Sequence, residues 1–205
     1  MGCGSSNSQV PDNSSPQNAY TGENKTAHAN PGNSTGGTKQ KTVKDEQKTA
    51  SSGNRKFEED ALRKHNDLRK KHSAQALTLA DDLTAYAQKW ADDIAKRDRM
   101  EHSKCTLPSG DSVGENIYMC WSSDGSAAAD ANDAVQSWYD EIKDYDFNKQ
   151  GFAMNTGHFT QVVWKESKEL GIAWAKSKGG SIYVVANYRP SGNYEGDFEA
   201  NVTPS

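Results

Sequence analysis

The chain has 205 residues, 33% of them apolar, a mean hydropathy of −0.96 and a net charge of −4. No run of 18 apolar residues occurs, which excludes a transmembrane helix, and neither an apolar secretory h-region nor a basic stripe of the kind that binds nucleic acid is present. The averages hide a division: nine of the first 54 residues are apolar, with no Leu, Ile, Phe or Trp before Phe57, against 59 of the remaining 151. That contrast predicts a disordered tail over 1–54 and one globular domain over 55–205, large enough for its own core.

The tail is Ser, Asn, Gly, Thr and Lys with scattered Pro. It opens Met1-Gly2-Cys3-Gly4-Ser5-Ser6, which fits N-myristoylation at Gly2 with a neighbouring thiol, Cys3, placed to take a palmitoyl group. One myristoyl chain holds a membrane only marginally, with K of order 10⁴ M⁻¹, so the two signals together are what stable anchoring requires. Asn13, Asn24, Asn33 and Asn201 stand in glycosylation sequons, read as by-products of a Ser/Thr-rich composition. Cys105 and Cys120 are close enough in sequence to pair; without a signal peptide the expectation is two free thiols in a reducing compartment.

Within the domain, Phe57, Ala61, Leu62, His65 and Leu68 recur near helical spacing over 55–72. Leu83, Ala87, Trp90 and Ile94 mark an amphipathic helix opened by Asp81 and Asp82. A strand is expected over 116–121, and Val135, Trp138, Tyr139 and Ile142 place a third helix over 128–143. A shorter helix follows over 158–166. Strands over 170–175 and 181–188 are joined by a Gly-containing turn, Lys176-Ser177-Lys178-Gly179-Gly180. Helices first and paired strands last, with no βαβ alternation, is an α+β pattern.

Four stretches concentrate Gly, His, Glu and aromatic residues: His65-Asn66-Asp67-Leu68-Arg69, Gly114-Glu115-Asn116-Ile117, 157–164 (Gly-His-Phe-Thr-Gln-Val-Val-Trp) and 187–193 (Asn-Tyr-Arg-Pro-Ser-Gly-Asn). In this order within one domain they resemble the signatures of the CAP superfamily, which comprises cysteine-rich secretory proteins, venom antigens and plant pathogenesis-related proteins. The resemblance implies a three-layer α-β-α sandwich around a central antiparallel sheet with an open cleft. It is closest to intracellular, myristoylated members: Ala186 stands where secreted members usually carry a disulfide Cys, and their late cysteines are missing.

By the same resemblance the cleft is lined by His102, Glu115, Glu141 and His158. Two neutral imidazoles, His102 and His158, suit a divalent metal such as Zn²⁺, and the two carboxylates would orient them or act as bases. No nucleophile has an implied triad partner, which argues for a binding or scaffolding module over a turnover enzyme. His65 and Asn66 are expected to brace the fold, Trp164 and Tyr188 to sit in the core, and Gly192 to serve a turn of positive φ. Tyr145, Phe147 and Phe152 match an aromatic-x-aromatic-x₄-aromatic pattern that resembles the sterol-binding loop of fungal members.

The expected partners are therefore membrane lipid or sterol, with a homodimer as a further possibility and no nucleic acid. The expected location is the cytosolic face of the Golgi or another membrane. The alternatives are a metal-dependent hydrolase using the two-His two-Glu cleft, and a defence-type protein exported to the extracellular space by a non-classical route.

Overall fold

The structure is a computed structural model that describes residues 2–6 and 43–205, with side chains from Asn54 onward. In chain order the elements are β1 (Gly2–Ser6), α1 (Val43–Lys71), β2 (Thr78–Leu79), α2 (Asp81–Arg97), β3 (Gly114–Trp121), α3 (Ala131–Tyr139), α4 (Gly157–Val163), β4 (Glu169–Lys176), β5 (Ile182–Arg189) and α5 (Phe198–Asn201). A 3-10 helix, Asp140–Asp144, continues α3. The strands form one sheet in the order β1-β3-β5-β4-β2. Pairing is antiparallel from β1 through β4, and only the two-residue β2 joins parallel, at the far edge.

Alternation along the strands divides the core in two. From β5, Ile182, Val184, Ala186 and Tyr188 face one way, and with Leu170 and Ile172 of β4 they pack under α1, α3 and α4 around Trp138, Phe159 and Trp164. Tyr183 and Val185 face the other way, with Ile117 and Ala173, and are covered by Ala87, Ala91, Ile94 and Ala95 of α2. This is the expected three-layer α-β-α sandwich. A strand buried on both faces reads as the near-continuous apolar run Ile-Tyr-Val-Val-Ala.

Local chemistry fixes the element ends. Asp130 caps α3, its carboxylate accepting from the amides of Asn132 (2.7 Å) and Asp133 (3.2 Å). Asp81 and Asp82 place negative charge at the N-terminus of α2, and Asp98 ends it in the left-handed conformation, φ 49°. The hairpin between β4 and β5 closes through Ser177 N–H to Ser181 O (2.8 Å), with Gly180 at φ +92°. Gly171 of β4 allows α2 to lie directly on the sheet: a Cβ there would stand 2.1 Å from the Leu83 carbonyl carbon.

The boundary drawn at 54/55 falls inside α1, which starts at Val43. That boundary followed the onset of large apolar residues, whereas the first turns of α1 carry Lys44, Glu46, Gln47, Lys48 and Ala50, residues that favour a helix without needing a core. The backbone of Gly2–Ser6 likewise departs from a wholly disordered tail, because it pairs along β3. The sequons at Asn13, Asn24 and Asn33 lie outside the described residues. Asn201 does not suit a glycan: it is 1% exposed, and its side chain accepts from the Glu166 amide (3.0 Å) and donates to Asp197 O (3.0 Å).

Candidate functional site

Each predicted cleft histidine meets one predicted glutamate. His102, in the loop after α2, donates from Nδ1 to Glu115 Oε1 at 2.8 Å. The same oxygen accepts the Ser103 amide at 2.8 Å, while Oε2 accepts from Asn187 Nδ2 at 3.3 Å. Glu115 is buried at the start of β3, and these donors replace the water it has lost. His158, at the first turn of α4, donates from Nδ1 to Glu141 Oε1 at 2.7 Å. Glu141 Oε2 accepts the amides of His158 (3.0 Å) and Phe159 (3.2 Å), so one carboxylate both orients the imidazole and caps α4.

Strand β3 makes the two pairs neighbours. Asn116, next to Glu115, donates from Nδ2 to His158 O at 3.1 Å and to the Tyr188 hydroxyl at 3.3 Å. Tyr188 in turn donates to His65 Nε2 (2.8 Å), and His65 Nδ1 donates to Ala61 O (2.8 Å), which fixes its tautomer. Burial pulls the His65 pKa down to about 4, keeping the ring neutral as this chain of donors requires, and drives the Tyr188 hydroxyl far up. Trp138 stacks on the His158 ring, centroids 6.5 Å apart and planes 17° from parallel. The braces His65 and Asn66, and the core residues Trp164 and Tyr188, stand where the sequence placed them.

From Glu141 an open groove of about 460 Å³ runs along α3 and the 3-10 helix, lined by Tyr118, Asp133, Gln136, Ser137, Asp140 and Asp144. Among the described residues of its lining, Lys143 is the one cation beside Asp133, Asp140, Glu141 and Asp144, so this lining is acidic and favours a cationic occupant over an anionic one. Among the described residues, Ser103 is not hydrogen-bonded to a histidine. Its hydroxyl oxygen accepts from Tyr86 Oη (3.0 Å) and the Cys105 amide (3.0 Å). No disulfide joins Cys105 to Cys120. Burial and the Glu115 carboxylate push the Cys105 thiol up to about 12.

The aromatic trio is divided. Tyr145 is buried and meets Phe147 edge-on (centroids 4.9 Å) and Phe159 (5.4 Å), while Phe152 is 37% exposed and Met154 57%. Gly192 differs from expectation. Its φ is not positive, and the left-handed residue of that turn is Asn193, φ 63°. Glycine is needed at 192 for space, since a Cβ would lie 2.8 Å from the Trp164 ring and 2.9 Å from Gln161 Nε2. The backing of the site by Asn187, Ser103 and Trp138 was not read from sequence. Asn187 lies within a quoted motif, but Ser103 acts through its backbone, which no side-chain pattern announces.

No cluster of three or more His, Cys, Asp or Glu that could hold a metal occurs among the described residues. Fit to a metal therefore rests on the two imidazoles. With Nδ1 committed to a carboxylate, Nε2 is the nitrogen through which each would ligate, in the carboxylate–histidine arrangement common at zinc.

An α-β-α sandwich carrying two carboxylate-held imidazoles, with an open groove that starts at Glu141 of one of the pairs, is the arrangement of a CAP domain. Residues 62–188 match the CAP (cysteine-rich secretory protein) family, and the chain belongs to that family. Golgi-associated plant pathogenesis-related protein 1 of Homo sapiens is 38% identical over 155 residues, covering 75% of this chain and 96% of that protein. Protein PRY2 of Saccharomyces cerevisiae is 36% identical over 151 residues, covering 72% of this chain but 41% of the yeast protein. Among solved structures, NaASP2 with Zn²⁺ superposes with a TM-score of 0.53 at 23% identity, covering 72% of this chain and 84% of that one. The relatives thus include a Golgi-associated protein and, in Secreted protein RBT4 of Candida albicans, a secreted one.

Proposed function

We propose that the chain is a membrane-tethered binding module whose cleft takes a divalent metal such as Zn²⁺ through His102 and His158, and whose exposed apolar residues contact lipid or sterol. The observation that carries the reading is the commitment of each imidazole to its own carboxylate. That geometry orients the two rings, and among the described residues it leaves Ser103 outside any Ser–His pair of the kind acyl transfer needs. Bound metal would add Lewis acidity and a partner for anionic ligand atoms; Glu115 and Glu141 would hold the rings in place.

The tether is proposed from Gly2 and Cys3, acylated to place the domain on the cytosolic face of the Golgi or another membrane. The register supports it, since Gly2 lies opposite Trp121, which is 44% exposed and suits the headgroup region of a bilayer. Of the aromatic loop only Phe152, with Met154, is accessible enough to touch a sterol without unpacking the core.

Three measurements test the reading. Gly2→Ala is expected to move the protein from the membrane to the soluble fraction of its cells, and unchanged partition would remove the tether. Calorimetric titration with Zn²⁺ should show one site that weakens at least about 10-fold in His158→Ala; equal binding by the variant would remove the metal site. Phe152→Ser should reduce binding of a labelled sterol, and equal binding by the folded variant would exclude that loop.

A further inference from the structure

The pairing of β1 with β3 puts two of the three cysteines directly opposite each other: Cys3 is the register partner of Cys120. In an antiparallel pair, opposed residues lie on the same face of the sheet. Their Cα atoms are about 4.5 or 5.5 Å apart, depending on which of the two alternating sites they occupy. Both separations fall within the roughly 4.4–6.8 Å that a disulfide spans. Cys120 is half-buried against the larger apolar cluster under α1, α3 and α4, whereas Cys105 packs in a different cluster with Leu83, Leu107 and Val113. The fold therefore separates Cys105 from Cys120 and selects a different pair.

We propose that Cys3 and Cys120 are the site of a reversible cross-strand disulfide that fastens β1 to the sheet. The oxidant is a low-molecular-weight disulfide of the glutathione class. One protein thiolate attacks it, forming a mixed disulfide and releasing one glutathione thiolate. The second protein thiolate then attacks the protein sulfur of that mixed disulfide, so that the Cys3–Cys120 bond forms and the bond to glutathione breaks. Two electrons pass to the oxidant, and the two protons lost by the cysteines end on two glutathione thiols. A Cys3 sulfur held in this bond cannot carry an acyl group, so oxidation and the second lipid signal exclude each other. That consequence rests on the lipid-anchor reading, but the cross-link does not.

The test uses the full-length chain produced without acylation, equilibrated in glutathione buffers of graded oxidation, quenched by alkylation and mapped by peptide mass. The Cys3–Cys120 peptide pair is expected to dominate in the native chain and to persist in Cys105→Ser. Its equilibrium constant should exceed that in concentrated guanidinium chloride at least about tenfold, a potential about 30 mV more reducing. Moving the thiol by one residue, with Cys3→Ser and Gly4→Cys, sets it opposite Met119 and on the other face, and should lower cross-linking about tenfold or more. Equal cross-linking by the shifted cysteine would mean random collision of the tail and overturn the proposal. So would a native distribution of pairs matching that in denaturant, or mixed glutathione disulfides alone. None of these results depends on whether Gly2 carries a lipid.

Discussion

Arg69 is fully buried in α1 with no carboxylate among its hydrogen-bond acceptors. It donates to four main-chain carbonyls: Gln75 (2.8 Å), Val162 (3.0 Å), Trp164 (2.8 Å) and Ser167 (2.9 Å). Two of these lie at the C-terminal end of α4, where the helix leaves its last carbonyls without partners and the dipole is negative. Arg69 thus holds one end of the helix whose other end carries His158. Replacing it by Met fills much of the volume but removes three charge-assisted hydrogen bonds to buried carbonyls, at about 1.5–3 kcal/mol each, while the carbonyl of exposed Gln75 can return to water. Against that, burial lowers the Arg69 pKa to about 10, so removing the charge returns about 3 kcal/mol. The net expectation is a loss of about 1.5–6 kcal/mol, against the roughly 5–15 kcal/mol that stabilises a domain. Arg69→Lys keeps a charge but only three donors on a flexible stem, and should fall between wild type and Met. Urea unfolding followed by tryptophan fluorescence reads all three proteins. A loss below about 1 kcal/mol for Met, or equal losses for Lys and Met, would refute the carbonyl-bridging account.

Two further outcomes follow from the packing and the buried rings. Gly171→Ala must push α2 off β4, because the new methyl meets Leu83 and Thr84 backbone at 2.1–2.2 Å. At about 1–3 kcal/mol for overpacking, thermal unfolding should come at least several degrees earlier by circular dichroism. Buried His65 has a folded pKa of about 4 against 6.5 unfolded, so the unfolded chain takes the proton first as pH falls. Its contribution is fully present above about pH 6.5, shrinks as pH falls towards 4, and changes little below that, at most about 3 kcal/mol in all. The unfolding free energy of wild type should therefore drop more steeply from pH 7 to 5 than that of His65→Asn. Parallel slopes would mean that burial does not lower the His65 pKa in the native state.

Much of the fold was legible because helix and strand periods survive in the sequence. Leu83, Ala87 and Ile94 lie on one face of α2 as their spacing required, and Trp138 and Tyr139 bury together on α3. The His–Glu pairs were named only through the family resemblance, since nothing in the spacing of 102, 115, 141 and 158 brings those residues together. Gly192 shows the same limit at one residue. A glycine in a turn suggests a special φ, but here it answers to the Trp164 and Gln161 side chains, far away in sequence.

The sequence by itself determined where most of the helices and strands run and to which family the chain belongs. It also showed that the first residues carry the pattern of a lipid anchor. Only the tertiary structure decided that His102 answers to Glu115 and His158 to Glu141, that Tyr145 is spent on the core while Phe152 stays exposed, and that Cys120 faces Cys3 across a strand pair. The physical reason is range. Helical and strand patterns and caps act over a few neighbouring residues and leave a local signature. A hydrogen bond, a close approach or a strand register joins residues tens of positions apart, and exists only once the layers have packed.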